Sequence, residues 1–411
     1  MYRRERILKF LQRHADLYDV VNLHLFSLKL FGELYVWRNR STGQLYISWK
    51  SFACFAVILV CLIVLFIGGH LAQQALLGEG DATYLHQGTA VLIEITGVFA
   101  ITISISNAIV GKNVWAILER LDGFDRRMIV LRAPVDHRTE KRIILGGSLM
   151  LFIGVVVFTS AFTAAITKSY RNPTLQLLTI AQVVMFVTVI ISMVCQVAIV
   201  LFLANARFYH LRKFFEMNFL PWKPSSFLAN EFPTVNRYGR CTDARLFRSV
   251  LEAFESLSEA MQLTNQTYYV QLFAMTTSNI PTPTLALYAT YRSFMASNYD
   301  MQYLIITMAV SSWLYMLTYL VLIFLNASIK REVDRLIQSY HHFTNLYHVE
   351  FERLVKDSAN HISSRNITLH LGPKELDWKL AFSTVSIVVS YLVILIQFDR
   401  SGSDVSKLTS P

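Results

Sequence analysis

The sequence predicts an all-α membrane protein of seven transmembrane helices, with the N-terminus in the cytoplasm, the C-terminus outside and a helical anchor on the cytoplasmic side. Three observations predict it. Hydrophobic residues make up 54% of the 411-residue chain and charged residues only 16%, against roughly 25% charged in an ordinary soluble protein. Seven stretches carry almost no charge, each long enough to cross hydrocarbon about 30 Å thick. Of the 38 Lys and Arg residues, 33 fall in the N-terminal 50 residues and in the connections after the second, fourth and sixth stretches. Basic connections stay in the cytoplasm, which sets the orientation.

Taken in order, residues 1–50 form a cytoplasmic N-terminal segment, residues 51–398 a seven-helix membrane domain, and residues 399–411 an extracellular tail. The charge-free runs lie between Lys50 and Glu79, Arg142 and Lys168, Arg171 and Arg207, Glu259 and Arg292, Asp300 and Lys330, and Lys379 and Asp399. Between Asp81 and Lys112 the only charge is Glu94. The run after Arg171 is the longest, so its helix is expected to tilt or to project beyond the lipid. The run after Glu259 is rich in Thr, Asn and Gln and contains Pro281 and Pro283, which predicts a kink. Without that span the basic segment 330–379 would face outward, against the charge rule.

The net charge of +10 follows from topology and anionic inner-leaflet lipid, and calls for no nucleic acid. Cys54, Cys61, Cys195 and Cys241 fall in spans or cytoplasmic connections, so no outer-face disulfide is expected. The acceptor-type sequences at Asn39, Asn265, Asn326 and Asn366 lie on the inner side and are expected to stay unglycosylated, and Pro173 blocks the one at Asn172. No cleavable signal peptide is read at the start, because no apolar core follows the basic residues directly.

Parts of the cytoplasmic segments are helical. Phe247, Val250, Leu251, Phe254, Leu257 and Met261 recur in steps of three and four, as do Val333, Leu336, Ile337, Tyr340, Phe343, Tyr347, Phe351 and Leu354. Extensions at about 243–267 and 330–379 are therefore expected to continue membrane helices into the cytoplasm, with their apolar stripes forming contacts between subunits. Pro373 before Lys374-Glu375-Leu376 reads as a helix start. The apolar-rich stretch 17–34 is read as lying along the inner leaflet.

Nothing points to an enzyme. No phosphate-binding glycine loop, GxGxxG, HExxH or CxxC occurs. His341, His342 and His348 share one segment but lack the convergent further ligands a metal needs, so neither metal nor cofactor is expected.

The last apolar run carries the most specific pattern. Ser383, Ser386, Ser390, Ile394 and Gln397 follow steps of three and four and share one helix face. Polar side chains facing lipid are costly, so this face should meet protein or water. The spacing fits two readings equally. One is a helix–helix contact through small residues; the other is the wall of an aqueous path, which one helix per chain forms only in an oligomer.

Ser390-Tyr391, five apolar residues, then Gln397-Phe398 resembles the C-terminal signature of the insect gustatory receptors, which opens with Thr-Tyr; Ser390 keeps the hydroxyl. The seven spans, chain length and inverted orientation extend the resemblance, and the related odorant receptors share the architecture. The resemblance implies a tetrameric, tastant-gated nonselective cation channel in the plasma membrane of gustatory neuron dendrites. It implies a pore lined by Ser383, Ser386, Ser390, Ile394, Gln397 and Phe398, the last two near an outer constriction, with Tyr391 packing the pore helix against its neighbours. Partner subunits would be further copies or other gustatory receptors. The ligand would be a small tastant, bitter or aversive, or a contact pheromone, bound among the outer halves of the first six spans.

Candidate contacts for that ligand are Glu94, Tyr288, Tyr291 and Trp313. A carboxylate inside a span needs a partner or a water-filled cavity, so Glu94 meets either a ligand amine or hydroxyl, or a neighbouring span; the second is favoured. The aromatic residues offer stacking faces, although packing and interfacial anchoring are their commoner roles. Two other classes stay open: a G-protein-coupled receptor, whose orientation would be reversed, and a transporter, for which Glu94 alone makes a thin relay.

Overall fold

Most of the chain's helices are longer than a bilayer is thick. The computed structural model describes residues 17–30, 34–38, 44–78, 84–169, 172–220, 244–296, 299–344, 358–365 and 367–409. In chain order these form α1 (Leu17–Leu30), the antiparallel pair β1 (Val36–Arg38) and β2 (Leu45–Ile47), α2 (Trp49–Gly78), α3 (Tyr84–Val130), α4 (His137–Ser169), α5 (Pro173–Phe219), α6 (Ala244–Ser278), α7 (Pro281–Ala296), α8 (Tyr299–Thr344), a second small pair β3 (His370–Leu371) and β4 (Lys374–Glu375), and α9 (Trp378–Thr409). Among the described residues six helices are long and apolar enough to cross a membrane: α2, α3, α4, α5, α8 and α9. Both α3 and α5 run for 47 residues, about 70 Å at 1.5 Å per residue. They outrun the hydrocarbon at the end of the bundle where the N-terminal segment lies. For α3 that extension had no counterpart in the sequence reading.

The expected fifth span is a broken one. Helix α6 stops at Ser278 and α7 starts at Pro281. Proline lacks the N–H for a continuous ladder and disfavours helical geometry at the residue before it, so it suits the first position of a new helix. Helix α6 is too polar for a lipid-facing span because one side of it is interior. Thr264, Thr267, Tyr268 and Gln271 are buried, and Gln271 donates to Asn107 Oδ1 on α3 at 2.8 Å.

Helix α5 is the hub, packed against α2, α3, α4, α6 and α8. Asn172 caps its start, accepting from the Thr174 N–H at 3.0 Å, with Pro173 in the first turn. Close approach in the hub depends on Gly97, where any Cβ would collide with the rings of Phe66 and Phe186.

At the N-terminal end of the bundle α5, α6 and α8 converge on an aromatic core. Phe215 stacks on Tyr340 with centroids 4.2 Å apart and on Phe219 at 4.9 Å, while Phe247 and Phe343 pack edge-on or stacked around them. This corrects one expectation. The stripe Phe247, Val250, Phe254, Leu257 and Met261 and the stripe Val333, Leu336, Tyr340 and Phe343 are buried inside the chain. Helices α3 and α5 cover α6, and α5 covers α8, so these buried residues are not the contact between subunits; Leu251 and Ile337 of the same stripes are half-buried. Tyr347, Phe351 and Leu354 lie outside the described residues.

A charged cluster joins three helices at the same end. Arg207 on α5 is fully buried and donates to Asp125 of α3 at 2.6 Å, to Glu140 of α4 at 3.2 Å and to the Leu203 carbonyl at 2.9 Å. His137 lies 3.0 Å from Glu140 and 3.7 Å from Asp125. Nearby, Arg212 joins Glu216 at 2.8 Å and Glu332 of α8 at 2.7 Å.

Two further readings change. Helix α1 packs Leu17, Val20, Val21, Leu25 and Leu28 into the chain's own core, mainly against α4, so these residues are not spent on the leaflet, while Phe26 stays exposed. Burial there pushes the His24 imidazole down to about 4. Pro373 does not start a helix. With Gly372, at φ +64°, it forms the two-residue turn between β3 and β4, where a left-handed glycine fits. The helix start belongs to Asp377, whose carboxylate accepts from the Leu380 N–H at 2.9 Å. Helix α9 continues past the apolar run to Thr409. Cys54, Cys61 and Cys195 are not in disulfides.

Candidate functional site

Helix α9 is held to its own chain by one edge. Ala381, Thr384 and Val388 are buried against α7 and α8. Ser383, Ser386, Ser390, Ile394 and Gln397, on the opposite side by helical periodicity, are all exposed. Ser390 donates to the Ser386 carbonyl of its own helix at 2.9 Å, which lowers the cost of the hydroxyl's exposure. Tyr391 and Phe398 are exposed too, at 54% and 73%. Among the described residues, Ser383, Ser386, Ser390 and Ile394 are not packed against another helix of the same chain.

The hairpin before α9 is strapped down. Asn326 of α8, fully buried, donates to the Leu376 carbonyl at 2.8 Å and accepts from the Leu369 N–H at 2.9 Å. Asn265 of α6 accepts from the His370 N–H at 2.8 Å, and Lys330 meets Glu375 at 2.6 Å. Both acceptor-type asparagines are thus structural.

A cavity of roughly 430 Å³ lies between α3, α4, α5, α8 and the α6–α7 break, within the size range of small-molecule sites. Phe99, Phe158 and Ile190 form its buried inner wall. Tyr315 stands edge-on to Phe99 at 6.3 Å and shares a 2.7 Å hydrogen bond with Ser278. Thr96, Thr282, Ser312 and Thr318 add hydroxyls, and among the described residues no charged side chain lines the space. Such a lining selects an uncharged, largely apolar molecule with one or two polar atoms. A second cavity of roughly 570 Å³, at the N-terminal end, is lined by Asp136, Glu140, His210, Lys213 and Glu332, whose charges already engage neighbouring groups.

None of the four sequence candidates lines the apolar cavity. Glu94 pairs with His70 of α2, Oε1 to Nδ1 at 2.5 Å, the neighbouring-span partner that was favoured. Trp313 is 60% exposed, while its neighbours Ser312 and Leu314 face the cavity. Tyr288 and Tyr291 are half-buried on α7. Sequence reasoning missed Phe99, Phe158 and Tyr315, which look like ordinary span residues until four helices bring them together. One signal was available: Gly147 and Gly154, seven residues apart, mark a groove along one face of α4.

Long apolar helices around a small-molecule-sized cavity, with a polar face left open on the last helix, define a multi-pass membrane protein with room for a small molecule. The family described as 7tm Chemosensory receptor matches residues 21–401, and the chain belongs to that family. The fold is similar to that of the insect olfactory receptor OR5 from Machilis hrabei, at 9% identity and TM-score 0.66, over 92% of this chain and 100% of that one. It is equally similar to the same receptor in complex with eugenol, at 8% identity and TM-score 0.67, over 93% and 98% of the two chains. None of the curated protein sequences matches.

Proposed function

We propose that this chain is a gustatory receptor, one subunit of a tastant-gated, nonselective cation channel in which four α9 helices surround a central pore. The observation that carries the proposal is the exposed Ser383–Ser386–Ser390–Ile394–Gln397 face. A polar face inside a membrane needs water or protein, and copies arranged about an axis supply both. The Gln397 amides then replace part of an ion's hydration shell without trapping it, as weak selectivity requires. Ile394 opposes wetting when the helices are close, and Phe398 narrows the outer mouth. The resemblance of the terminal motif to gustatory receptors supports the taste assignment, and a bitter or aversive compound or contact pheromone fits the uncharged cavity. The basic end of the bundle is cytoplasmic in this reading.

Helix α8 couples ligand to pore. Tyr315 lines the cavity, and Asn326, 11 residues on and about 16 Å along the axis, holds the hairpin from which α9 emerges. A ligand that fits the cavity better in one position of α8 biases α9 by that difference in affinity.

Patch recording from cells expressing the chain alone, with uncharged aromatic tastants on the outer face, tests this. Ligand-evoked cation current is expected. Gln397→Ala should alter conductance or relative permeability, and Gln397→Glu should raise divalent permeability, with surface expression unchanged. Unaltered reversal potential and unitary current in both variants would place the pore elsewhere.

A further inference from the structure

The cavity's walls divide by exposure. Phe99, Phe158, Ile190 and Ser312 are buried. Its exposed lining residues all belong to two helices: Gly147, Met150 and Gly154 on α4, and Leu314, Leu317 and Val321 on α8. Met150 is 74% exposed and Leu317 56%. A Cβ at Gly147 or Gly154 would meet nothing within 4 Å, so the two helices do not close on each other there. Both rims lie inside charge-free runs, between Arg142 and Lys168 on one side and between Asp300 and Lys330 on the other. Charges this far away in sequence put the opening at hydrocarbon depth rather than in the headgroups.

We infer that this slot is a lateral portal, and that the ligand enters the cavity from the bilayer between α4 and α8. The inference rests on the reading of the cavity as the receptor site and narrows its ligand class. The ligand is an uncharged molecule that partitions into lipid, carries a ring or compact apolar body, and has a hydroxyl or carbonyl to meet the Ser278–Tyr315 pair. A charged or strongly hydrated tastant would have to leave water and cross hydrocarbon to reach the same wall. The hydroxyls of the inner wall also favour a small polar-tipped molecule over the acyl tail of a membrane lipid, which cannot use them.

The test uses the full chain in phosphatidylcholine vesicles loaded with an uncharged aryl-diazirine, with glutathione outside to quench any carbene formed in water. After illumination, adducts are mapped on peptides. Labelling is expected on lipid-facing Phe152 and Val157 and also on the buried Phe158 and Ile190. In the Gly147→Leu, Gly154→Leu variant, inner-wall labelling should fall several-fold while Phe152 and Val157 label as before. Leucine there adds helix propensity and enters open space, so the variant should fold. Inner-wall residues left unlabelled in the parent chain, or labelled equally in the variant, overturn the portal. A phosphatidylcholine with the diazirine at its chain end should mark the rim residues Met150 and Leu317 but not Phe158; marking of Phe158 makes the cavity a lipid-tail site and overturns the small-molecule assignment. Currents recorded on the same two proteins separate the readings. Slot-dependent labelling without any tastant current sinks the receptor reading and keeps the portal; tastant current with slot-independent labelling does the reverse.

Discussion

Removing the Arg207 guanidinium should unfold this chain more readily than any surface change. Arg207→Met keeps the apolar stem and deletes the charge. In the parent, that charge sits between Asp125 and Glu140 at 2.6 and 3.2 Å, with the Arg207 side chain 0% exposed and the two carboxylates 5% and 6% exposed. The variant leaves two buried carboxylates facing each other with His137 as their nearby base. Breaking a buried ion pair by removing one partner costs about 3–5 kcal/mol, two to four powers of ten in the folded-to-unfolded ratio. Replacing a whole buried charged cluster by apolar residues is by contrast about neutral or stabilising. The triple variant Arg207→Met, Asp125→Leu, Glu140→Leu should therefore recover most of the loss, a non-additivity expected of residues in one network. Denaturant titration of the purified protein in detergent measures both. The reasoning fails if the single variant lies within about 1 kcal/mol of the parent, or if the triple variant is as unstable as the single.

Three further outcomes are expected. Phe254→Ala removes a ring that is fully buried and edge-on to Phe208 at 6.0 Å; it should cost about 3–5 kcal/mol, read as lost monodisperse protein rather than as an intact monomer released from an oligomer. His24 is held neutral, with its folded pKa about 4 against an ordinary 6.5; the unfolded chain binds the extra proton, so stability is full above pH 6.5 and falls as pH drops toward 4, by at most about 3 kcal/mol. His24→Phe should flatten that part of the stability–pH curve, and an unchanged curve would show that other groups set it. Finally, external protease on intact cells should remove a tag placed after Pro411 and spare one at Met1; the opposite pattern would favour the G-protein-coupled alternative.

The helices of this protein were largely legible because hydrocarbon imposes a rule on sequence. A spanning segment must satisfy its backbone internally and shed its charges, so the charge-free runs mark α2, α3, α4, α5, α8 and α9. The same rule made the Ser383–Gln397 face conspicuous, as polar groups in an apolar run stand out. It also marked the run after Glu259, but not that α6 turns a polar side to the protein interior, and Pro281 and Pro283 pointed to the break that follows.

What the sequence by itself determined was thus each helix and the demand each makes on its surroundings: a stripe needs a cover, and Glu94 needs a partner. Only the tertiary structure decided who answers. The helix carrying the first stripe, α6, packs on α3 and α5, and α8 packs on α5, with Phe247 meeting Tyr340 and Phe343 between them, and Glu94 finds His70. Pro373 shows the same limit on a local scale, since its turn is held by hydrogen bonds to Asn326 and Asn265, 47 and 108 residues earlier in the chain. The cavity was the least legible feature. Phe99, Phe158, Ile190 and Tyr315 come from four helices, and their convergence depends on axial offsets and rotations that side-chain periodicity along one helix does not encode.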